Sequence, residues 1–149
     1  RLLAWDPVRR KTAWKVPYKS PGNGGVLATG GNLVFHATAD GRLIAYSADK
    51  GEKLWETFAQ TGLIAAPMTY QIDGEQYVAF FAAGTGIPYG AGGANGVPLG
   101  DHLWAFKIGG TVAPLPARAQ QADRGRVAVL VAVSGWSSPS TFSRIASAF

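Results

Sequence analysis

A tryptophan that returns after 41 residues, each time ten residues behind an alanine, limits the folds open to this chain. Ala4-Trp5-Asp6 followed by Lys11 and Trp14 is matched by Ala45-Tyr46-Ser47 followed by Gly51, Lys53 and Trp55. A third, partial copy, Leu103-Trp104-Ala105-Phe106-Lys107, lies 60 residues after the second, and the glycine-rich stretch 84–100 accounts for the extra length. A period near 40 residues is expected of four-stranded propeller blades, whose faces stay exposed unless neighbouring blades stack on them. A tryptophan suits that joint. It buries roughly 200 Å² and carries an indole N–H that can reach a backbone carbonyl, while the repeated alanine allows close approach opposite it. Trp14 and Trp55 therefore read as scaffold residues.

The turn signals agree with short strands. Thr29-Gly30-Gly31-Asn32, Ala39-Asp40-Gly41-Arg42, Asp49-Lys50-Gly51-Glu52 and Ile72-Asp73-Gly74-Glu75 separate apolar, alternating segments. Asp-Gly between such segments marks a hairpin, because these residues tolerate the positive φ angles of type I′ turns. The spacing predicts strands over 25–29, 33–38, 42–47 and 53–58, which make one blade, and over 65–71, 76–82 and 102–107, which begin another. The fold class expected is all-β: a partial propeller of about two four-stranded blades, with an irregular tail.

Several functions are disfavoured by what the 149 residues contain. The net charge of +5 invites a nucleic-acid reading, but apart from Arg9-Arg10-Lys11 the basic residues are scattered, and no recognition motif accompanies them. With no cysteine there is no disulfide, thiolate metal site or attached c-type haem. His36 and His102 stand in unrelated contexts, which disfavours zinc. The run 127–133 is too short to cross a bilayer and reads as one buried strand or a short helix. The glycines of 84–100 lack the Lys-Ser/Thr and helix pattern of a phosphate loop. The chain starts at Arg1 inside an apolar strand, as a piece cut from a longer protein would.

At the repeated motifs the sequence becomes specific. Ala-x-Asp-Pro-x-x-x-Lys-x-x-Trp at 4–14 and Ala-x-x-x-x-x-Gly-Glu-Lys-x-Trp at 45–55 resemble the tryptophan-docking motif of quinoprotein dehydrogenases. The segment 23–41, Gly74-Glu75-Gln76-Tyr77-Val78-Ala79 and Leu103-Trp104-Ala105-Phe106-Lys107-Ile108-Gly109-Gly110 are similar to the late propeller of the quinohaemoprotein alcohol dehydrogenases. The similarity covers residues 1–116.

That resemblance implies an eight-bladed propeller in the periplasm that binds pyrroloquinoline quinone (PQQ) and calcium, oxidises primary alcohols to aldehydes and passes electrons to a cytochrome. A haem c domain is expected beyond the propeller in some members. It also implies that the chain's partners are the remaining blades, and that the catalytic base, calcium carboxylates and vicinal cysteines lie in earlier blades. Asp6, Asp40 and Asp73 are explained by local turn bonding, so no catalytic or metal residue is expected here. Gly86, Ile87 and Pro88 are the candidates for touching the cofactor. They follow the Gly-Glu-Gln-Tyr-Val-Ala strand, where the family lines its PQQ pocket, although Thr85 stands where the family usually has tryptophan.

Pro114-Leu115-Pro116 is expected to end the propeller portion, with 117–149 as linker or tail. A non-catalytic assembly propeller is the alternative function, since such proteins can share the docking repeat. An independent two-blade domain would leave blade faces and strand edges uncovered, which is energetically poor.

Overall fold

The computed structural model describes residues 1–18, 24–59, 61–82, 102–110 and 128–130. Every regular element among them is a strand. β1 (Leu2–Asp6) and β2 (Lys11–Val16) form a hairpin of their own. β3 (Val26–Ala28), β4 (Leu33–Ala37), β5 (Arg42–Ser47) and β6 (Lys53–Phe58) form an antiparallel four-stranded sheet in sequence order. β7 (Met68–Ile72), β8 (Glu75–Ala82) and β9 (His102–Lys107) repeat the arrangement as the third sheet. Its fourth strand is β10 (Ala128–Leu130), which runs parallel to β9. Residues 128–130 of the ambiguous apolar run are therefore strand.

Six expected boundaries shift by one to three residues, and two of these shifts have a local cause. β3 is three residues long because Gly25 adopts φ 67 and its Cα lies close to Ala66, which takes it out of the ladder. β7 begins at Met68 and not at 65, since Pro67 has no N–H to give to a ladder. Asp73 and Gly74 both have positive φ, 50 and 81, between the paired residues Ile72 and Glu75. This is the two-residue hairpin anticipated for Asp-Gly.

The repeat seen in the sequence is a repeat of geometry. Ala4 pairs with Trp14 and Ala45 with Trp55, and in both hairpins the register shifts at the next step, between Ala4 and Trp5 and between Ala45 and Tyr46. A bulge at the same point in each copy adds local twist and re-aims the following side chains.

Alternation along β4 and β5 sends the side chains to two cores. Leu33, Phe35, Ala37, Leu43 and Ala45 meet Val78, Phe80, Trp104 and Phe106 of the third sheet. Val34, Ile44 and Tyr46 pack with Leu2, Trp14, Val16 and Tyr18 of the first hairpin. The middle sheet is thus covered on both faces, which is why β4 is apolar at almost every position and buried throughout.

The first joint is specific as well as apolar. The Trp14 indole N–H donates to the Ala48 carbonyl at 2.8 Å, and the ring lies over Gly51. That turn is fixed from within: the Gly51 N–H donates to the Ser47 carbonyl at 2.8 Å, the Ser47 N–H to the Glu52 carbonyl at 2.9 Å, and the Glu52 N–H to Ser47 Oγ at 3.1 Å. A Cβ on Gly51 would lie 2.6 Å from two ring carbons of Trp14, at a backbone φ of 70. Gly74 has φ 81 but open space around it. In the full-length protein, Gly51→Ala is expected to cost about 2–4 kcal/mol of unfolding free energy, and Gly74→Ala about 1 kcal/mol. Denaturant unfolding of the two variants side by side checks this, and equal losses would remove the special role of Gly51.

Candidate functional site

Antiparallel strands in sequence order bring the same kinds of connection to the same end of the molecule. One end gathers the approach to β3, the β4–β5 turn, the β6–β7 connection and the outer ends of β8 and β9. The residues there interlock through backbone. The Ala59 N–H donates to the Gly41 carbonyl at 2.7 Å, and the Leu63 N–H donates to the Thr38 carbonyl at 3.1 Å. Gly24 packs so close to the carbonyls of Ala37 and Leu63 that a side chain has no room. Thr38 Oγ1 donates to the Arg42 carbonyl at 3.0 Å and accepts from the Arg42 N–H at 3.1 Å. Ala82 and His102 pair with each other here, so the 83–101 connection departs from and returns to this end.

Between the first hairpin and the middle sheet stands a part-buried polar pair. The rings of Tyr18 and His36 stack with centroids 4.7 Å apart, and the Tyr18 hydroxyl and His36 Nε2 share a hydrogen bond of 3.0 Å. His36 is 4% exposed, and its Nδ1 has no hydrogen-bond partner among the described residues. Burial penalises the charged form of each group. It lowers the His36 pKa to about 4 and, with Tyr46 nearby, raises that of Tyr18 well above the ordinary phenol value. Both side chains are therefore neutral at pH 7. No repeat or motif marked this pair in the sequence, because each member is a single residue brought to the other by blade stacking.

The carboxylates are spread out and engaged. Asp6 Oδ1 accepts from the N–H groups of Val8, at 3.0 Å, and Arg9, at 2.9 Å. Asp40 lies 3.2 Å from Arg42, which also holds Glu56 at 3.0 Å. Asp73 occupies its left-handed turn position. Among the described residues no three His, Cys, Asp or Glu side chains come together as a metal site. The crevice lined by Phe35, Leu43, Trp55, Val78, Phe106 and Ile108 encloses about 10 Å³. That is room for one water at most and far from a quinone. Among the described residues that crevice cannot hold a quinone, and no cluster of three such side chains is present to hold a calcium ion. Gly86, Ile87 and Pro88 lie outside the described residues.

Residues 4–78 match the family model described as glucose/ethanol/alcohol dehydrogenase, beta-propeller domain, of the PQQ type. The chain belongs to this PQQ β-propeller family. Over 115 residues it is 52% identical to the quinohemoprotein alcohol dehydrogenase ADH-IIG of Pseudomonas putida, covering 74% of this chain and 16% of that protein. Over 90 residues it is 61% identical to the quinohemoprotein alcohol dehydrogenase of Comamonas testosteroni, covering 60% of this chain and 13% of the relative. The solved structure of the Pseudomonas putida HK5 enzyme superposes with a TM-score of 0.52 at 62% identity, over 54% of this chain and 12% of that one. The chain thus spans about a sixth, or less, of the length of these relatives.

The histidine gives a signed pH dependence. A folded-state pKa of about 4, below the unfolded value of 6.5, means that the unfolded chain takes up the proton first. His36 therefore contributes stability that is intact above pH 6.5 and is lost as the pH falls toward 4. In the full-length protein, His36→Gln should remove this component. Unfolding midpoints taken from pH 7 to pH 4 that fall equally in wild type and variant would exclude it.

Proposed function

We propose that this chain forms the closing blades of a PQQ- and calcium-dependent alcohol dehydrogenase that oxidises primary alcohols to aldehydes and hands electrons to a cytochrome. In this reading residues 1–116 belong to the propeller and 117–149 to the linker or tail that follows, whose residues 128–130 add the outer strand to the last sheet. The full-length protein works in the periplasm, and a haem c domain lies beyond the propeller. The observation that carries the proposal is the 61% identity to the Comamonas testosteroni quinohemoprotein alcohol dehydrogenase, together with the tryptophan joint that builds the propeller.

The chain's share of the work is architectural. Asp6 is engaged in its turn, and Asp40 and Glu56 in surface ion pairs with Arg42; the base and the calcium ligands are proposed to belong to the rest of the protein. What these blades supply is a rigid support beneath the connection that runs from Ala82 to His102. Gly86, Ile87 and Pro88 in that connection are proposed to line one wall of the PQQ pocket, where glycine permits close approach and an apolar side chain can pack on a flat ligand.

The full-length gene product, reconstituted with PQQ and calcium, is expected to reduce an electron-accepting dye with a primary alcohol. Ile87→Ala should raise the PQQ concentration needed for half-maximal reconstitution about 10-fold, by removing apolar contact worth roughly 1–2 kcal/mol. A full-length protein that binds no PQQ would transfer the chain to the non-catalytic assembly propellers. Unchanged reconstitution in Ile87→Ala would remove the pocket wall alone.

A further inference from the structure

The repeat that equates Trp14 with Trp55 also equates Arg10 with Gly51, each four residues ahead of its tryptophan. Both turns are built alike: φ is 52 at Arg10 and 70 at Gly51. At Gly51 the missing side chain admits the Trp14 ring, because a Cβ there would lie 2.6 Å from ring carbons. Arg10 has a Cβ at the matching point of the matching turn. An indole laid over residues 7–10 as Trp14 is laid over 48–51 would collide with it. The joint on this side therefore has to be made by different chemistry.

The surface that such a joint would cover is open and cationic. Leu3 and Trp5, on the face of β1–β2 turned away from the middle sheet, are 44% and 56% exposed, and Val8 in the turn is 89% exposed. Lys15 pairs with Leu3 across the hairpin. Four cations (Arg9, Arg10, Lys11 and Lys15) share this hairpin with one carboxylate, Asp6, giving it a net charge of +3. Asp6 is engaged by the Val8 and Arg9 N–H groups and lies 3.8 Å from the Arg9 side chain. Neither Arg10 nor Lys15 has an ion-pair partner among the described residues.

We propose that the outer face of β1–β2 is closed by an ion pair in place of a stacked indole, with a carboxylate of the covering segment meeting the Arg10 guanidinium. The occupant is the neighbouring propeller segment of the full-length protein, of which this chain matches only 16% in the Pseudomonas putida relative. Covering Leu3 and Trp5 brings that segment over the turn, and a guanidinium covered there without a counter-charge is unfavourable. The +3 hairpin favours an acidic neighbour for the same reason. The identity of the occupant rests on the propeller reading above.

The test is thermal unfolding of the full-length protein between about 0.05 M and about 1 M NaCl, a range over which screening shortens to about 3 Å. Arg10→Gln should lower the unfolding temperature by about 2–4 °C at low salt and abolish part of its salt dependence, while Arg10→Lys keeps that dependence. Arg10→Gly should also lower it, although glycine relaxes the left-handed backbone. An unchanged salt response in Arg10→Gln, or a higher unfolding temperature in Arg10→Gly, overturns the ion pair. PQQ binding measured on the same samples separates the two ideas. Loss of the Arg10 effect with PQQ still bound refutes only the ion pair. An intact Arg10 effect in a protein that binds no PQQ refutes only the dehydrogenase reading.

Discussion

The contact on which the rest of the described structure depends is the Trp14 indole laid over the turn that ends at Gly51. It joins a hairpin to a sheet that is distant in sequence, and it does so with shape and a hydrogen bond together. The N–H reaches the Ala48 carbonyl, the ring needs the missing Cβ of Gly51, and the turn beneath is held by the Ser47, Gly51 and Glu52 backbone. Removing the ring leaves the Ala48 carbonyl without its donor, and adding a Cβ at Gly51 brings a collision with the ring. Apolar packing alone would bring these layers together but would leave their sliding unspecified.

From that joint the packing propagates. The middle sheet is buried on both faces, so neither flank can be stripped without exposing Leu33, Phe35 and Leu43 on one side or Val34, Ile44 and Tyr46 on the other. The second joint is built differently. Trp55 meets Phe106 edge-on with centroids 5.3 Å apart, beside a crevice of about 10 Å³. Two joints in one chain thus use the same tryptophan position with different partners.

Much of the fold was legible because its signals are local or periodic. Asp73-Gly74 announced its hairpin through φ alone, and the 41-residue return of Ala and Trp announced the blade. The start of β3 at Val26 was not legible, since it depends on Gly25 taking φ 67 against Ala66 of the β6–β7 connection. Nor was the parallel pairing of β10, which is a partner choice and not a propensity. The candidate site lies outside the described residues at Gly86, Ile87 and Pro88, while Asp6, Asp40 and Asp73, which read as turn residues, are bound locally or sit in turns. The Tyr18–His36 pair escaped notice because a contact between blades leaves no mark on either local pattern.

Trp14 and Gly51 act as one unit, which a double-mutant cycle in the full-length protein can establish. Trp14→Ala and Gly51→Ala should each destabilise strongly. The double variant should lose much less than their sum, with a coupling of about 1–3 kcal/mol, because the added Cβ has no ring left to strike. Losses that add within about 0.5 kcal/mol would mean that the two residues act independently, and the joint would have to be sought elsewhere.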